Sequence, residues 1–294
     1  MKLGAPSKAA SMLDSLVQED NLTHISAAMP PSSARGGAEA APAPAPVIAH
    51  QPIQLQVEER IVAHLTRDGA VDAFEVKGSL TLTATTEAVA LSKVQLTVAE
   101  SVPGLSFLTH PKVNKQAYDQ SKLLMLKDAA KGFPVGRPVG VLRWSLSSAS
   151  DDSLVPLSIN CWPEEEGQGR MNVNIEYSLN GANRELHDVN ISIPLGTVEA
   201  PQIAAVDGTT RHDAREQRLL WHMDLVDASN ATGSLEFVIA GRDPQAFFPI
   251  TVSFASQSLY ADIGVLAVTG LEDGAPPVPY SITKSLAPDS YQVG

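Results

Sequence analysis

The sequence predicts an all-β chain built as two stacked antiparallel subdomains behind a linker. Three observations carry the prediction. Short runs of alternating or β-branched residues recur from residue 51 onward. Clusters of Gly, Pro, Asn and Asp, such as "RDGA", "LNGANRE", "VDGTT", "DASNATG" and "LEDGAPP", separate them. Segments of helical period are almost absent beyond the linker, so sheets must bury the apolar residues.

In chain order, residues 1–50 come first. "PPSSARGGAEAAPAPAP" is too rich in Pro, Ala, Ser and Gly to build a core and reads as a mostly disordered, polyproline-like linker. Within it, "SMLDSLVQED" sets Met12, Leu13, Leu16 and Val17 on one face of a short helix over about 11–20, with Ser11 at the cap. A helix this short is marginal in water, so these four residues are candidates for docking against a partner. Strands follow in "IQLQVEERIVAHL", "FEVKGSLTLTA", "SKVQLTVAE", "VGVLRWSLSS", "LVPLSINCW", "MNVNIEYSL", "HDVNISIPL", "QRLLWHMDL", "GSLEFVIAG", "FFPITVSFA" and "DIGVLAVTG". That is more than one seven-strand sandwich holds, hence two subdomains. "GTVEAPQIAAVDG", 196–208, reads as a crossover between two layers or subdomains, and "QSKLLMLKD", 120–128, is ambiguous by period and too short to assign.

Composition narrows the function. The 294 residues carry a formal net charge of −12, the reverse of a dedicated nucleic-acid binder. One cysteine leaves no intrachain disulfide, which fits a reducing cytosol. No catalytic residue and no metal site emerges. There is no Gly-x-Ser-x-Gly elbow, Walker loop or dinucleotide fingerprint, and the seven histidines are scattered without metal-ligand spacing. His212 and Asp213 in "TRHDAR" are adjacent, so on a strand they would face apart; a polar turn is expected. Cys161 ends a strand with no basic neighbour to lower its pKa and reads as a buried, inert thiol. Glu164, Glu165 and Glu166 are expected in a solvated hairpin loop, and the strand-borne Trp162 is expected to pack inward. What remains is a chain that works through its surface, reading peptides on a sheet edge or in an apolar groove.

The segments "THPKVNK", "FPVGRPVGVLRWSL", "PLSINCWPEEEGQGRMNVNIEYSL", "DGTTRHDAREQRLLW" and "GSLEFVIAG…FFPITVSFASQSLYADIGV" resemble the C-terminal mu-homology domain of the coatomer delta-subunit family. The likeness runs from about residue 52 to the final "SYQVG", and the 1–20 segment resembles that family's linker with its helix. The resemblance implies two β-sandwich subdomains, the second inserted into the first. Subdomain A is placed at about 51–196 and 257–294, and subdomain B at about 197–256. It also implies a longin-like N-terminal domain not present in these residues, so the chain reads as a fragment or an unusually short gene product.

The implied function is that of a non-enzymatic subunit of the COPI coat, in Golgi-to-ER and intra-Golgi transport. Its implied partners are other coatomer subunits, beta and zeta among them, and the Golgi membrane reached through the coat and the GTPase Arf. It would sit on the cytosolic face, with no cofactor and no nucleic acid. The family's domain binds short tryptophan-containing acidic peptides of an ER tether and an Arf GTPase-activating protein. Such a peptide needs an apolar slot and basic groups, for which Lys112, Lys115, Phe133, Arg143, Trp162 and Tyr177 are candidates. The alternative is a clathrin-adaptor-like reader of tyrosine signals. Those medium chains place an aromatic residue and an aspartate on the first strand, where this sequence aligns Gln54 and Gln56. Glutamine offers a hydroxyl no charge-assisted acceptor, which counts against that reading.

Overall fold

The computed structural model describes residues 51–99, 102–181 and 183–294. The expected linker and its helix, with Met12, Leu13, Leu16 and Val17, lie outside the described residues.

Three long strands organise the fold: β1 (Ile53–Leu65), β2 (Val71–Ala84) and the last strand, β16 (Tyr280–Val293). β1 pairs antiparallel with β2 on one side and parallel with β16 on the other. Every odd residue of β1 is buried, from Ile53 to Leu65, so one face of the sheet is apolar except at Glu59. β6 (Val139–Ser148) and β4 (Ser106–Thr109) extend the sheet beyond β2. Beyond β16 it continues through β14 (Ile250–Ala255), β9 (Leu186–Pro194), β12 (Arg218–Val226) and β11 (Thr209–Asp213), nine strands in all.

Two smaller sheets cover the apolar face. The first holds β15 (Asp262–Gly270), β3 (Ser92–Ala99) and β5 (Leu123–Leu124). With Ile53, Leu55, Val57, Leu80, Leu82 and Trp144 of the large sheet it closes one core. The second holds β10 (Gln202–Val206), β13 (Thr232–Ala240), β8 (Arg170–Leu179) and β7 (Leu157–Gly167). It closes the other core against Ile61, Ala63, Leu65, Val76, Trp221 and Tyr291. The fold is thus all-β, with two sandwiches sharing one spanning sheet. Helix is confined to α1 (Glu87–Ala90), α2 (Lys115–Ser121) and two 3-10 turns among the described residues.

The junction between the cores is polar. Glu59 lies midway along β1, only 1% exposed. It accepts hydrogen bonds from Trp144 Nε1 at 2.7 Å, Tyr260 N at 2.7 Å and Ala261 N at 2.8 Å. Burial raises its pKa above 4.5, while the backbone N–H groups of Tyr260 and Ala261 and the indole N–H of Trp144 pull it back down. The Trp144 ring lies against Gly78, where an added Cβ would sit 2.0 Å from it.

Several expectations change. The boundary placed near 197 falls inside one core: Leu157, Ile175 and Ile191 pack with Leu219, Phe237 and Phe254. The inserted sandwich therefore begins near residue 155. The punctuated 196–208 segment does cross between layers, from β9 in the large sheet through β10 in the small one toward β11 in the large one, but it does so within that same sandwich. Glu164–Glu166 are not in a loop, because β7 keeps its pairing with β8 through Glu165↔Met171, and the turn is Gly167–Gln168–Gly169, all at positive φ. The glutamates stay hydrated because β7 is an edge strand, where charge and Pro163 also discourage further pairing. "TRHD" is strand β11 rather than turn, and the turn follows, where Asp213 accepts from the N–H groups of Arg215 and Glu216. β16 went unpredicted. It is largely polar, buries only Leu286, Tyr291 and Val293, and carries Pro288 beside a bulge opposite Ile61/Val62.

Candidate functional site

The first sandwich carries a basic surface where β4 leaves the edge of the large sheet. Phe107 of β4 faces inward against Trp144, ring centroids 6.0 Å apart. Its neighbour Leu108 alternates to the other face and pairs with Arg143 of β6. The chain then turns, with Val113 N donating to His110 O at 2.8 Å. Lys112 accepts at its carbonyl from Lys127 N at 2.8 Å, so the two lysines share one fold of backbone. Asn114 caps α2, its side-chain oxygen accepting from Ala117 N at 3.1 Å. Lys115 is the first helical residue and is exposed. Lys122 ends α2 at φ 56, which turns its ammonium back over the Tyr118 ring at 5.1 Å. Tyr118 is buried, and desolvation pushes its hydroxyl pKa to about 12.

This region reverses the charge of the chain around it. Residues 102–143 hold five lysines and two arginines against Asp119 and Asp128, while the whole chain is at −12. Two exposed apolar side chains accompany this stretch: Val135, 39% exposed, within it, and Leu91, 45% exposed, next to Ala90, whose carbonyl accepts from Phe133 N. Gly136 N donates to Ala84 O and Phe133 N to Ala90 O, which ties the 133–136 segment to the ends of β2 and α1.

The candidate residues divide. Lys112 and Lys115 are exposed on the turn and helix that follow β4, and Arg143, on β6 beside β4, is half-buried and already engaged. Phe133 is 2% exposed and belongs to the first core, so it supports the surface from below. Trp162 and Tyr177 lie on the second sandwich, apart from the three basic residues. Tyr177 is 2% exposed, its hydroxyl donating to Asn230 O at 3.0 Å. Trp162 corrects the expectation of inward packing: it sits on the outer face of β7, 39% exposed. Alternation fixed its face, since Ile159 and Cys161 take the inward positions. Sequence reasoning passed over Lys122, Lys127, Val135 and Leu91. The count of local charge over 102–143 was the available signal.

The other candidates are structural. Cys161 is buried and desolvation lifts its pKa to about 12. No cluster of three or more His, Cys, Asp or Glu arranged to hold a metal occurs among the described residues. Gln56 on β1 donates to Glu58 at 2.7 Å, and neither it nor Gln54 offers a carboxylate. No helix among the described residues is long and apolar enough to cross a membrane.

This spanning sheet with two covering sheets, and a basic surface at one edge, defines a class. The adaptor complexes medium subunit family matches residues 42–293, and the chain belongs to it. Within that class it belongs with the coatomer delta subunits. It is 37% identical to coatomer subunit delta-1 of Oryza sativa subsp. japonica, over 100% of this chain and 54% of the relative. It is 36% identical to that organism's delta-4, over 100% of this chain and 75% of the relative. It thus spans about half the length of delta-1. The solved yeast delta-COP-I mu-homology domain matches at a TM-score of 0.72 and 29% identity, covering 83% of this chain and 98% of the other. The same yeast domain complexed with a Dsl1 WxWxV peptide matches at 0.71 and 29%, with the same coverage.

Proposed function

We propose that this chain is the peptide-reading domain of a COPI coat delta subunit. In this reading it binds short acidic peptides containing tryptophan and performs no chemistry of its own. The observation that carries it is the likeness to the yeast domain solved with a WxWxV peptide. The local surface supports it. An acidic peptide with indole side chains requires cations around an apolar slot, and 102–143 supplies lysines, with Val135 and Leu91 exposed. Lys112, Lys115 and Arg143 are the basic residues proposed to meet the peptide, with Phe133 holding the floor.

We extend the proposal to the wider role that the resemblance to coatomer delta subunits implies. The domain would act on the cytosolic face of Golgi membranes and COPI vesicles, in retrograde and intra-Golgi transport. Beta and zeta coatomer subunits, an ER tether, an Arf GTPase-activating protein and Arf-dependent recruitment would complete its partners.

Calorimetry with an acidic WxWxV peptide tests the reading. The expected result is saturable binding, lost when both tryptophans become alanine, and weakened about tenfold or more by Lys112→Glu with Lys115→Glu. Equal heats for the peptide and its alanine form would overturn it. Added salt should lower the affinity, since exposed charges are screened within about 10 Å at 0.1 M.

A further inference from the structure

The second sandwich carries a surface of opposite character. Residues 151–256 hold sixteen acidic residues, six arginines and no lysine. At one end of this sandwich the chain passes from β10 in the small sheet to β11 in the large one. The crossing is pinned at Asp207, whose N–H donates to Ser234 O at 2.9 Å and whose carbonyl accepts Trp221 Nε1 at 2.6 Å. Gly208 follows at φ 91. The crossing leaves two adjoining grooves, of about 510 Å³ and 500 Å³, which share Tyr177, Asp207 and Thr232 in their walls.

The floor is apolar and firm. The Tyr177 ring stacks near Trp221, centroids 5.5 Å apart, and covers Gly233, where any Cβ would meet it at 2.5 Å. Met223 and the 36%-exposed Leu225 continue the floor. The walls are acidic: Glu176 at one end, Asp207 in the middle with its carboxylate accepting from Ser234 N at 2.8 Å, and Asp224 at the other, 3.0 Å from His222 Nε2, with no lysine or arginine lining either groove. The Glu176 end opens beside the exposed Trp162. Asn160 pairs with Glu176 across β7 and β8, and Trp162 is the next residue on that face, opposite Asn174.

We propose that this groove takes an extended basic segment of a partner protein, its arginines meeting Glu176 and Asp224 and stacking on Trp162. Charge complementarity selects this occupant. A second copy would bring the same acidic walls against each other, and an acidic peptide would be repelled. An indole at the mouth favours a guanidinium, which stacks as well as pairs. The inference is independent of the tryptophan-peptide reading, which concerns the other sandwich.

A fluorescent peptide alternating arginine and valine, with a glutamate–valine peptide as control, tests it on the full chain. Only the arginine peptide should bind, and binding should shield Trp162 from acrylamide, since Trp144 and Trp221 are already fully buried. Glu176→Lys with Asp224→Lys should weaken it about tenfold, and Trp162→Ala severalfold, while acidic tryptophan-peptide binding persists as a check of folding. Glu272→Lys, on an exposed turn of the first sandwich, should leave the affinity unchanged. An equal loss in Glu272→Lys would reduce the effect to net charge and overturn the proposal. So would equal binding of both peptides, or sedimentation showing a dimer that the groove variants abolish.

Discussion

Glu59 shows what one residue can hold together. All three groups around its carboxylate donate, so the site is built for an acceptor on every side. Glu59→Gln would turn an amide NH2 toward these N–H donors. The expected cost is about 1–3 kcal/mol, read from urea unfolding, with larger loss for Glu59→Ala. The pH dependence has a definite sign. Burial raises the folded pKa above 4.5, so just above that pH the folded chain keeps a proton the unfolded chain has released. Stability from this group falls as pH rises through that window. The difference in unfolding midpoint between the parent and Glu59→Gln should narrow accordingly. A widening gap there would contradict the assignment. The sequence hides this role, because a glutamate in "QVEERIV" reads as a polar strand position until the second sheet is known to cover it. The indole partner, Trp144, lies 85 residues away.

At the level of elements, most strands were legible because one face is apolar and alternation is clean. β1, β6 and β15 begin and end where the pattern places them. β16 was not legible, because its pairing with β1 and β14 satisfies the backbone while few of its side chains need burial. Yet it is central. Leu286, fully buried, exchanges backbone hydrogen bonds with Ser256 at 2.9 and 2.8 Å and packs in the second core. Leu286→Asp would put a carboxylate in that core without a partner. A loss of more than about 4 kcal/mol is expected, visible as the absence of a folded baseline at 25 °C if the domain is marginal. A well-folded Leu286→Asp chain would show that β16 is dispensable there. The candidate surface was legible only in its charge. Lys112, Lys115 and Arg143 are visible as cations near family motifs, but burial of Phe133 and exposure of Trp162 depend on which face of a strand meets the sheet opposite.

The whole molecule joins two cores through shared strands. β1 gives Ile53, Leu55 and Val57 to one core and Ile61, Ala63 and Leu65 to the other. Loss of either core exposes half of the strand that the other relies on, so a single cooperative transition is expected. Urea unfolding of the parent chain, followed on amide protons of β3 in the first sandwich and of β8 in the second, should give the same midpoint. Separate midpoints would show that the sandwiches unfold independently. The molecule also divides its charge, positive over 102–143 and negative over 151–256, which no single net value conveys. That division is readable in the sequence once the boundary near 155 is known, and blurred by a boundary at 197.

The spanning strands also make the domain a ruler. A strand of 13 residues such as β1 is about 43 Å long at 3.3 Å per residue. With β2, β1 and β16 hydrogen-bonded side by side through both sandwiches, little bending is available between the two ends. A single tethering chain that engaged both surfaces would need a spacer of roughly a dozen extended residues or more. Shorter spacers would force a choice of one end, and longer ones would dilute the second contact. Spacer length in a bivalent ligand, with no change to either binding motif, would then set its avidity.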